Sequence, residues 1–441
     1  MQDKMKECGS VWIFLFLSFL FSHSIFSPAS AQGEDFFENS SYILRILSFG
    51  NYLKPADSTQ NKHNDFCKIS TYNGELDFRL DIYFSYDRYE LSIKPRMTSE
   101  WKQWEDGIKK GDSEWHNDTF INEWLMRIGL IKNLYVSYGR ENLQWGPSFL
   151  FSPSNPFFRD NGRSNPKQEI AGMDFARCVW LPRPAWTFSF IANVDQGRQD
   201  YRLTEFKKIN ALKVDYSGEE GYGGLIVSHR EGDRTRIGAF GGRTVTDALL
   251  LYGEGVISRG SNALYPTKDE TSPFGYSMEA VYDTSSSTRG IVLVGGAYTF
   301  EFGPTLTVEY SYNQVGYDDA QAEAYYRLRE YASDAAAFAS PMSDLAALTL
   351  SQTLDPQLRF LRKNYLMFQY YYNDIMNEIN LLLQWTENLE DYSGQFIFNV
   401  EYFLGDHSQL FSIASLNAGE GGTEFGSLLE YQVMCGLEFT F

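Results

Sequence analysis

The chain has 441 residues, of which 43% are hydrophobic and 16% aromatic, and its formal net charge is −19. A mean hydropathy of −0.35 excludes a bundle of membrane-spanning helices, which needs several apolar stretches of about 20 residues. The pI near 4.8 argues against nucleic acid as a partner, because binding to phosphates needs a basic face. The length is compatible with about three soluble domains or with one large β-barrel.

The first residues have the charged, apolar and small-residue layout of a secretory signal peptide. Lys4 and Lys6 precede the apolar run 11–21, and residues 29–31 read Ala-Ser-Ala, which is a small-x-small cleavage site. The apolar run is shorter than the roughly 17 residues of the shortest membrane spans, so an uncleaved anchor is the weaker alternative. We therefore predict a cleaved signal peptide over residues 1–31.

After residue 74 the sequence alternates between apolar and charged residues. Leu76 and Phe78 share one side of the segment, while Asp77, Arg79 and Asp81 share the other. This period of two predicts a β-strand with one apolar and one charged face. Similar runs return to the end of the chain, at 75–86, 89–96, 119–128, 134–141, 170–180, 186–194, 209–216, 223–231, 235–243, 248–258, 275–283, 289–301, 304–314, 363–373, 377–386, 394–403, 409–416 and 427–441.

These runs predict an all-β protein whose strands have the length of membrane-spanning strands, about 9–11 residues. A soluble β-sandwich also alternates, but the export signal and the aromatic strand ends favour a membrane barrel. We predict a transmembrane antiparallel β-barrel of about 18 strands over residues 73–441, with one long helix-containing loop. Residues 32–72 are expected to form an N-terminal periplasmic segment or plug.

Long connections are predicted at 97–118, 142–169, 195–208, 259–274 and 315–362. They do not alternate consistently with short turns across the predicted strands. Either residues 42–49 form an extra first strand and a middle strand is over-counted, or one long connection lies on the periplasmic side. Within the longest connection, residues 318–332 are rich in alanine and have acidic residues in the first turn, which predicts a helix that ends before Pro341. This helix could form a constriction or a lid.

One internal motif is distinctive, and its residues shape a loop. It runs from the end of a strand at Tyr138 through Gly-Arg and Trp-Gly-Pro steps into a segment rich in Pro and Asn. Glycine permits close backbone approach, and proline prevents continued strand pairing. The motif resembles a stretch of the alginate-export-like porins and, more weakly, of the capsule-assembly Wzi family. The matching positions are Gly139, Arg140, Trp145, Gly146, Ser152, Asn155 and Pro156.

The C-terminal strand also carries a resemblance. Apolar residues alternate from Tyr431 to the final Phe441, which resembles the terminal signal of bacterial outer-membrane barrels. The resemblance implies that the outer-membrane assembly machinery recognises this strand. It also implies outer-membrane lipid as a partner and localisation in the outer membrane of a Gram-negative-type bacterium.

The candidate site consists of residues on the inward faces of the predicted strands and beside the motif. We expect the pore-lining or solute-binding residues to be Asp77, Arg79, Asp81, Glu123, Arg127, Arg140, Trp145 and Arg230. Inward charges of both signs are what a water-filled lumen tolerates, although a salt-bridge network that holds the barrel round is an equal alternative. Arginines near Trp145 are expected to make the constriction favour anions.

These features predict a porin-like channel for passive passage or export of a polar solute, with an expected preference for anions. The alternative is a surface barrel that anchors capsular polysaccharide without transport, as the resemblance to Wzi implies. We predict no enzyme activity, cofactor or metal site. The histidines lack metal-ligand spacing, and no Gly-x-Ser-x-Gly motif is present.

Overall fold

The computed structural model describes residues 39–158, 160–163, 165–199, 206–232, 235–282, 287–336 and 342–441. In these residues 18 strands form one sheet, and each pairs with the strand before and after it in the barrel. The sheet is closed because the first strand also pairs with the last one, antiparallel, with Gly50 opposite Cys435. The predicted antiparallel barrel is therefore confirmed. The predicted signal peptide lies outside the described residues.

The barrel strands are β1 (Ser40–Pro55), β2 (Tyr72–Tyr86), β3 (Tyr89–Gln103), β4 (Ser113–Ile131), β5 (Leu134–Glu141), β6 (Met173–Arg183), β7 (Trp186–Asp195), β8 (Ile209–Ser217), β9 (Gly221–Arg230), β10 (Thr235–Thr246), β11 (Leu249–Arg259), β14 (Thr288–Thr299), β15 (Thr305–Asn313), β16 (Asn364–Ile375), β17 (Ile379–Asn388), β18 (Gly394–Phe403), β19 (Ser408–Ala418) and β20 (Leu429–Thr440). Strands β12 (Tyr265–Lys268) and β13 (Tyr276–Glu279) form a separate two-stranded sheet. The helices are α1 (Asp319–Ala336), α2 (Ser343–Leu354) and a short 3-10 helix, Thr59–Asn64. None of the described helices is both long and apolar enough to cross a membrane.

Two strand predictions are corrected. The run 275–283 was predicted as a barrel strand, but its strand β13 pairs only with β12, outside the barrel. It alternates because one face packs on a loop core, where Met278 is buried while Glu279 is exposed. The first barrel strand is instead β1, so the barrel begins at Ser40 and not at residue 73. β1 has apolar residues on both faces, which hides the period of two.

With these corrections, every long connection lies at the same end of the barrel. We call it the loop end, and we call the opposite end, where short turns such as 87–88 and 132–133 lie, the turn end. This confirms the alternative in which residues 42–49 belong to an extra first strand and one middle strand is over-counted. At the turn end, aromatic rings cluster on the wall, with the centroids of Trp186 and Tyr216 5.1 Å apart and those of Tyr298 and Phe300 5.0 Å apart. Such girdles are typical of membrane interfaces.

The outward faces of the barrel strands carry large apolar side chains that are exposed. Leu212, Leu225, Ile257 and Val292 are at least half exposed. A contiguous apolar wall of this kind is stable only when hydrocarbon covers it. The inward faces hold the polar and charged residues, so the alternation predicted from the sequence is the alternation between lipid and lumen.

At the loop end, several connections pack together into a cap. The predicted helix 318–332 is confirmed as α1, which packs against α2, the β12–β13 hairpin and the 3-10 helix. Tyr317, Leu328 and Leu350 are fully buried in the core between these elements. The predicted helix therefore belongs to an outer cap with its own apolar core. Helix α2 was not predicted.

Candidate functional site: a constriction loop and a basic vestibule

The described residues of the connection from β5 to β6, which are 142–158, 160–163 and 165–172, fold into the lumen, and we call them the constriction loop. The loop contains the Trp145 motif, and its residues contact inward side chains of strands on opposite sides of the barrel. Glu309 on β15 accepts hydrogen bonds from the loop, while Glu438 on β20 and Arg96 on β3 bind its later residues. The loop therefore crosses the lumen from wall to wall.

The first part of the loop is held by two carboxylates of the wall. Glu254 on β11 accepts hydrogen bonds from Ser148, Ser152 and Ser154. Glu309 accepts from the backbone N–H groups of the two residues that follow Ser148, at 2.7 and 3.0 Å. Both carboxylates are less than 5% exposed. Buried carboxylates need such donors, because an unpaired charge in this environment is costly.

The last part of the loop is held by ion pairs. The guanidinium of Arg96 donates to both carboxylate oxygens of Glu169, at 2.7 and 2.8 Å, and also to Asp81, at 2.8 Å. The ammonium of Lys167 lies 2.8 Å from Glu438 and 3.0 Å from Glu401. Bidentate arginine pairs fix geometry as well as charge, so this side of the loop is rigidly attached.

An apolar contact completes the attachment on the β6–β9 side of the barrel. Phe157 and Phe158 of the loop are buried, and Phe157 packs edge-on against Phe175 of β6, with centroids 5.0 Å apart. Trp145 donates its indole N–H to Ser154 at 3.1 Å, and the ammonium of Lys213 lies 5.1 Å from the Trp145 ring. Trp145 thus stabilises the bend of the loop inside the lumen.

Above the loop, towards the loop end, lies a cavity of about 230 Å³, which we call the vestibule. Its floor is formed by loop residues 151–153 and 155–158, and its walls by the ends of strands β6 to β11, β14 and β15. Five basic residues line it: Lys207, Arg230, Arg236, Arg289 and Arg359. Among the described residues, its lining includes no Asp or Glu.

Two vestibule arginines each have a buried donor without a partner in the described part of the chain. The Nε atoms of Arg289 and Arg359 are buried and have no hydrogen-bond partner within the described protein. Arg289 lies over the ring of Tyr282 at 4.1 Å, and Arg359 pairs with Asp160 at 3.6 Å. Guanidinium groups held in this way present planar donors that suit carboxylate, sulfate or phosphate groups.

The predicted site residues fall into several groups. Asp77, Arg79 and Asp81 are buried on the inner face; Arg79 pairs with Asp77 at 2.6 Å and donates to the backbone oxygen of Lys167 at 2.7 Å. These three residues belong to an ion-pair network that contacts the constriction loop through Arg79 and, by way of Arg96, through Asp81. Arg230 lines the vestibule.

Glu123 and Arg127, also on the predicted inner face, are paired with β3. Glu123 binds Lys94 at 2.9 Å, and Arg127 binds Glu90 near the turn end. Neither residue lines the vestibule. Their charges are therefore balanced within the wall.

The expectation that Arg140 reaches the constriction is wrong. In the β4–β5 register Arg140 shares a face with Tyr138 and Trp124, opposite to Gly139, which faces the lumen beside Phe175. Arg140 binds Asp174 at 2.7 Å. The direction of the Arg140 side chain follows from the alternation of side chains along β5. The closeness of Arg140 to Trp145 in the sequence does not determine it.

Several important residues were missed as site residues. Lys207, Arg236, Arg289 and Arg359 lie at strand ends or in loops, where alternation gives no direction. Glu254 was detectable, because it is an acidic residue between two glycines in an otherwise apolar run of β11. An acid in that position of a membrane strand must face the lumen.

A closed barrel of 18 strands with an inward-folded loop and a charged lumen is the fold of a large porin-type barrel. Solved structures with similar folds are OprD of Pseudomonas aeruginosa (TM-score 0.53, 8% identity, covering 92% of this chain and 96% of that chain) and OccK5 (OpdH) of Pseudomonas aeruginosa (0.52, 7%, 92% and 98%). A third is OccK11 (OpdR) of the same species (0.52, 9%, 92% and 97%). At these identities the similarity shows the fold alone.

The sequence comparisons do not add a family. No family model matches the chain, and no curated protein matches it in sequence. The structural similarity supports a porin-type barrel, but it does not support the resemblance to alginate-export-like porins or to the Wzi family.

Proposed function

We propose that this protein is an outer-membrane, porin-like channel for passive passage of a polar solute, with a preference for anions. The closed barrel, the loop that narrows its lumen and the similarity to outer-membrane porins support a channel. The loop end then faces the outside of the cell, because outer-membrane barrels keep short turns on the periplasmic side. The vestibule is the entrance, and the constriction loop is its floor.

The observation that carries the anion preference is the set of five basic residues that line the vestibule. The net charge of −19 would suggest the opposite preference. However, water and salt screen exposed charges beyond about 8 Å, so acids on the outer loops act weakly on a solute inside the barrel. Charges that line the pathway decide which ions enter it.

The route to the membrane is part of the proposal. The signal peptide at 1–31 would direct export, and the assembly machinery would recognise the last strand. Phe441 supports this role, because its backbone exchanges hydrogen bonds of 2.8 and 3.0 Å with Leu44 of β1 at the turn end. The C-terminal residue therefore takes part in closing the barrel.

Planar-bilayer recording of the refolded protein tests the proposal. We expect discrete current steps and a reversal potential in a salt gradient that indicates anion preference. Replacing both arginines in Arg289→Ala/Arg359→Ala should lower the anion-to-cation permeability ratio by roughly fivefold, the factor that corresponds to about 1 kcal/mol of lost attraction. The control is Arg88→Ala/Arg243→Ala, which removes the same two charges from exposed positions near the turn end.

Two outcomes would contradict the proposal. A protein that folds and inserts but carries no current is not a channel. A channel that prefers cations, or whose selectivity changes equally in the vestibule variant and in the Arg88→Ala/Arg243→Ala control, would show that the vestibule does not select anions.

A further inference from the structure

We infer that Glu254 and Glu309 are positioning residues that fix the constriction loop and thereby set the width and the ion preference of the pore. The inference rests on the proposed function, because it assigns the residues that control the same pathway. It depends on how residues 146–154 of the loop are attached to the wall.

The side chain of Glu309 binds backbone N–H groups of the loop. One carboxylate oxygen accepts from the N–H of Phe149 at 2.7 Å and from the hydroxyl of Tyr252 at 2.7 Å, and the other accepts from the N–H of Leu150 at 3.0 Å. Glu309 is completely buried. Two consecutive peptide N–H groups therefore converge on one carboxylate, and each would lose its partner if the loop moved away.

Glu254 holds the same part of the loop mainly by side chains. It accepts from the hydroxyl of Ser148 at 3.1 Å, from the hydroxyl of Ser152, and from both the hydroxyl and the N–H of Ser154, at 2.6 and 3.1 Å. Gly146 adopts a positive φ of 86°, and a Cβ at this position would lie 2.3 Å from the Glu254 carboxylate. The glycine of the Trp-Gly-Pro step is therefore required for this close approach.

The two carboxylates lie at nearly the same height in the barrel. On the intervening strand β14, Glu254 is opposite Leu293 and Glu309 is opposite Gly295. Gly295 leaves room for the ring of Tyr252, which would be 2.6 Å from a Cβ there. Tyr252 can therefore lie across β14 and donate its hydroxyl to Glu309. The result is one continuous attachment across three neighbouring strands.

This attachment controls the pathway because the attached residues are also the floor of the vestibule. Phe151, Ser152 and Pro153 line the cavity, and Ser152 is bonded to Glu254. A carboxylate suits this task since it offers only acceptors, whereas an amide would direct two donors at groups that also donate. Neutral glutamine therefore preserves the volume of the side chain but breaks part of the attachment.

The test is single-channel recording of Glu309→Gln and Glu254→Gln in the full-length protein. We expect a higher conductance, more open-channel noise and a loss of anion preference, because the loop no longer holds its position. The control is Glu90→Gln, which changes an inner-face carboxylate that pairs with Arg127 and lies away from the loop. A role limited to barrel stability would change none of these electrical readouts in protein that has folded.

A second variant approaches the attachment from the loop. Ser152→Ala/Ser154→Ala removes hydroxyl donors and leaves both wall carboxylates in place, so it remains informative if a glutamine variant fails to fold. We expect the same increase in conductance. If the wild type is an anion-selective channel and these variants match it in conductance and reversal potential, the inference is wrong while the proposed function stands. A silent wild type would overturn both.

Discussion

Arg96 illustrates how single residues hold this lumen together. It is 2% exposed and donates to Glu169, to Asp81 and to the backbone oxygens of Leu80 and Pro95. The arginine thus joins β3, β2 and the constriction loop. A buried charge of this kind is tolerated because each of the five N–H groups of the guanidinium donates to an acceptor.

We predict that Arg96→Leu lowers the free energy of unfolding by about 3–5 kcal/mol, because the buried Asp81 and the half-buried Glu169 lose their closest cationic partner. Urea titration of the protein in lipid vesicles, followed by tryptophan fluorescence, measures this loss. The matched control is Arg88→Leu in the exposed turn 87–88, where the guanidinium of Arg88 pairs with the exposed Asp87. Equal effects of the two substitutions would contradict the assigned role of Arg96.

Among the elements, the connections at the loop end contain a buried carboxyl group whose contacts depend on pH. The carboxylate of Glu424, in the β19–β20 loop, accepts from the N–H of Leu361 at 2.8 Å, from Asn388 at 3.0 Å and from the hydroxyl of Tyr365. Burial and, to a smaller extent, the nearby charge of Asp391 raise the pKa of Glu424 to about 7. Glu424 therefore joins the β19–β20 loop to the β15–β16 connection and to the ends of β16 and β17, through a group that changes charge near neutral pH.

Because the pKa of Glu424 is raised in the folded protein, the folded state binds a proton at Glu424 more tightly than the unfolded state does. Protonation of Glu424 therefore favours the folded state. Stability should be highest below the usual pKa of 4.5 and should fall as the pH rises to about 7, by up to about 3 kcal/mol. Hydrogen exchange of residues 355–363 and 419–428, corrected for intrinsic rates, should show less protection at about pH 8 than at about pH 5.

A neutral isostere separates this contact from other pH effects. In Glu424→Gln the protection of the two segments should no longer depend on pH over that range, whereas Glu420→Gln, an exposed position of the same loop, should behave as the wild type does. If the wild type gains protection with rising pH, the assignment of the proton to Glu424 is incorrect.

At the scale of elements, the sequence predicted the strands well where one face meets lipid and the other meets water. It gave β1 only as one of two alternatives, because Ile43, Leu47 and Phe49 face inward and remove the contrast between the two faces. It failed at 275–283, where the apolar face of the strand packs on the core of a loop and not on lipid. Alternation reports only that the two faces differ, and it does not report what covers the apolar one.

The candidate site was predictable only in part, for a related reason. The inward direction of Asp77, Arg79 and Asp81 follows from the period of two, but their partners on the constriction loop lie about 90 residues away in the chain, with Arg79 bound to Lys167. The vestibule depends on loop residues such as Arg359, whose position is determined by tertiary packing. No local pattern in the sequence specifies that position.

For the whole molecule, the closed sheet and its outward apolar wall predict the behaviour in detergent. Unheated samples should migrate differently from heated ones on a denaturing gel, because a closed barrel keeps its backbone hydrogen bonds until it is heated. Circular dichroism should show β-structure before heating. A protein that is monodisperse in buffer without detergent would contradict a membrane barrel.

The pairing of β1 with β20 has a consequence for the order of folding. Gly50 lies opposite Cys435, so the barrel is closed by residues from nearly opposite ends of the chain. Bringing such distant segments together carries a large entropic cost and slows folding. Until that contact forms, the unpaired backbone groups at both edges of the sheet have no partners in hydrocarbon. Entry into the bilayer and completion of the last strand are therefore coupled, and a nascent chain that stops before residue 429 has no stable state within the membrane.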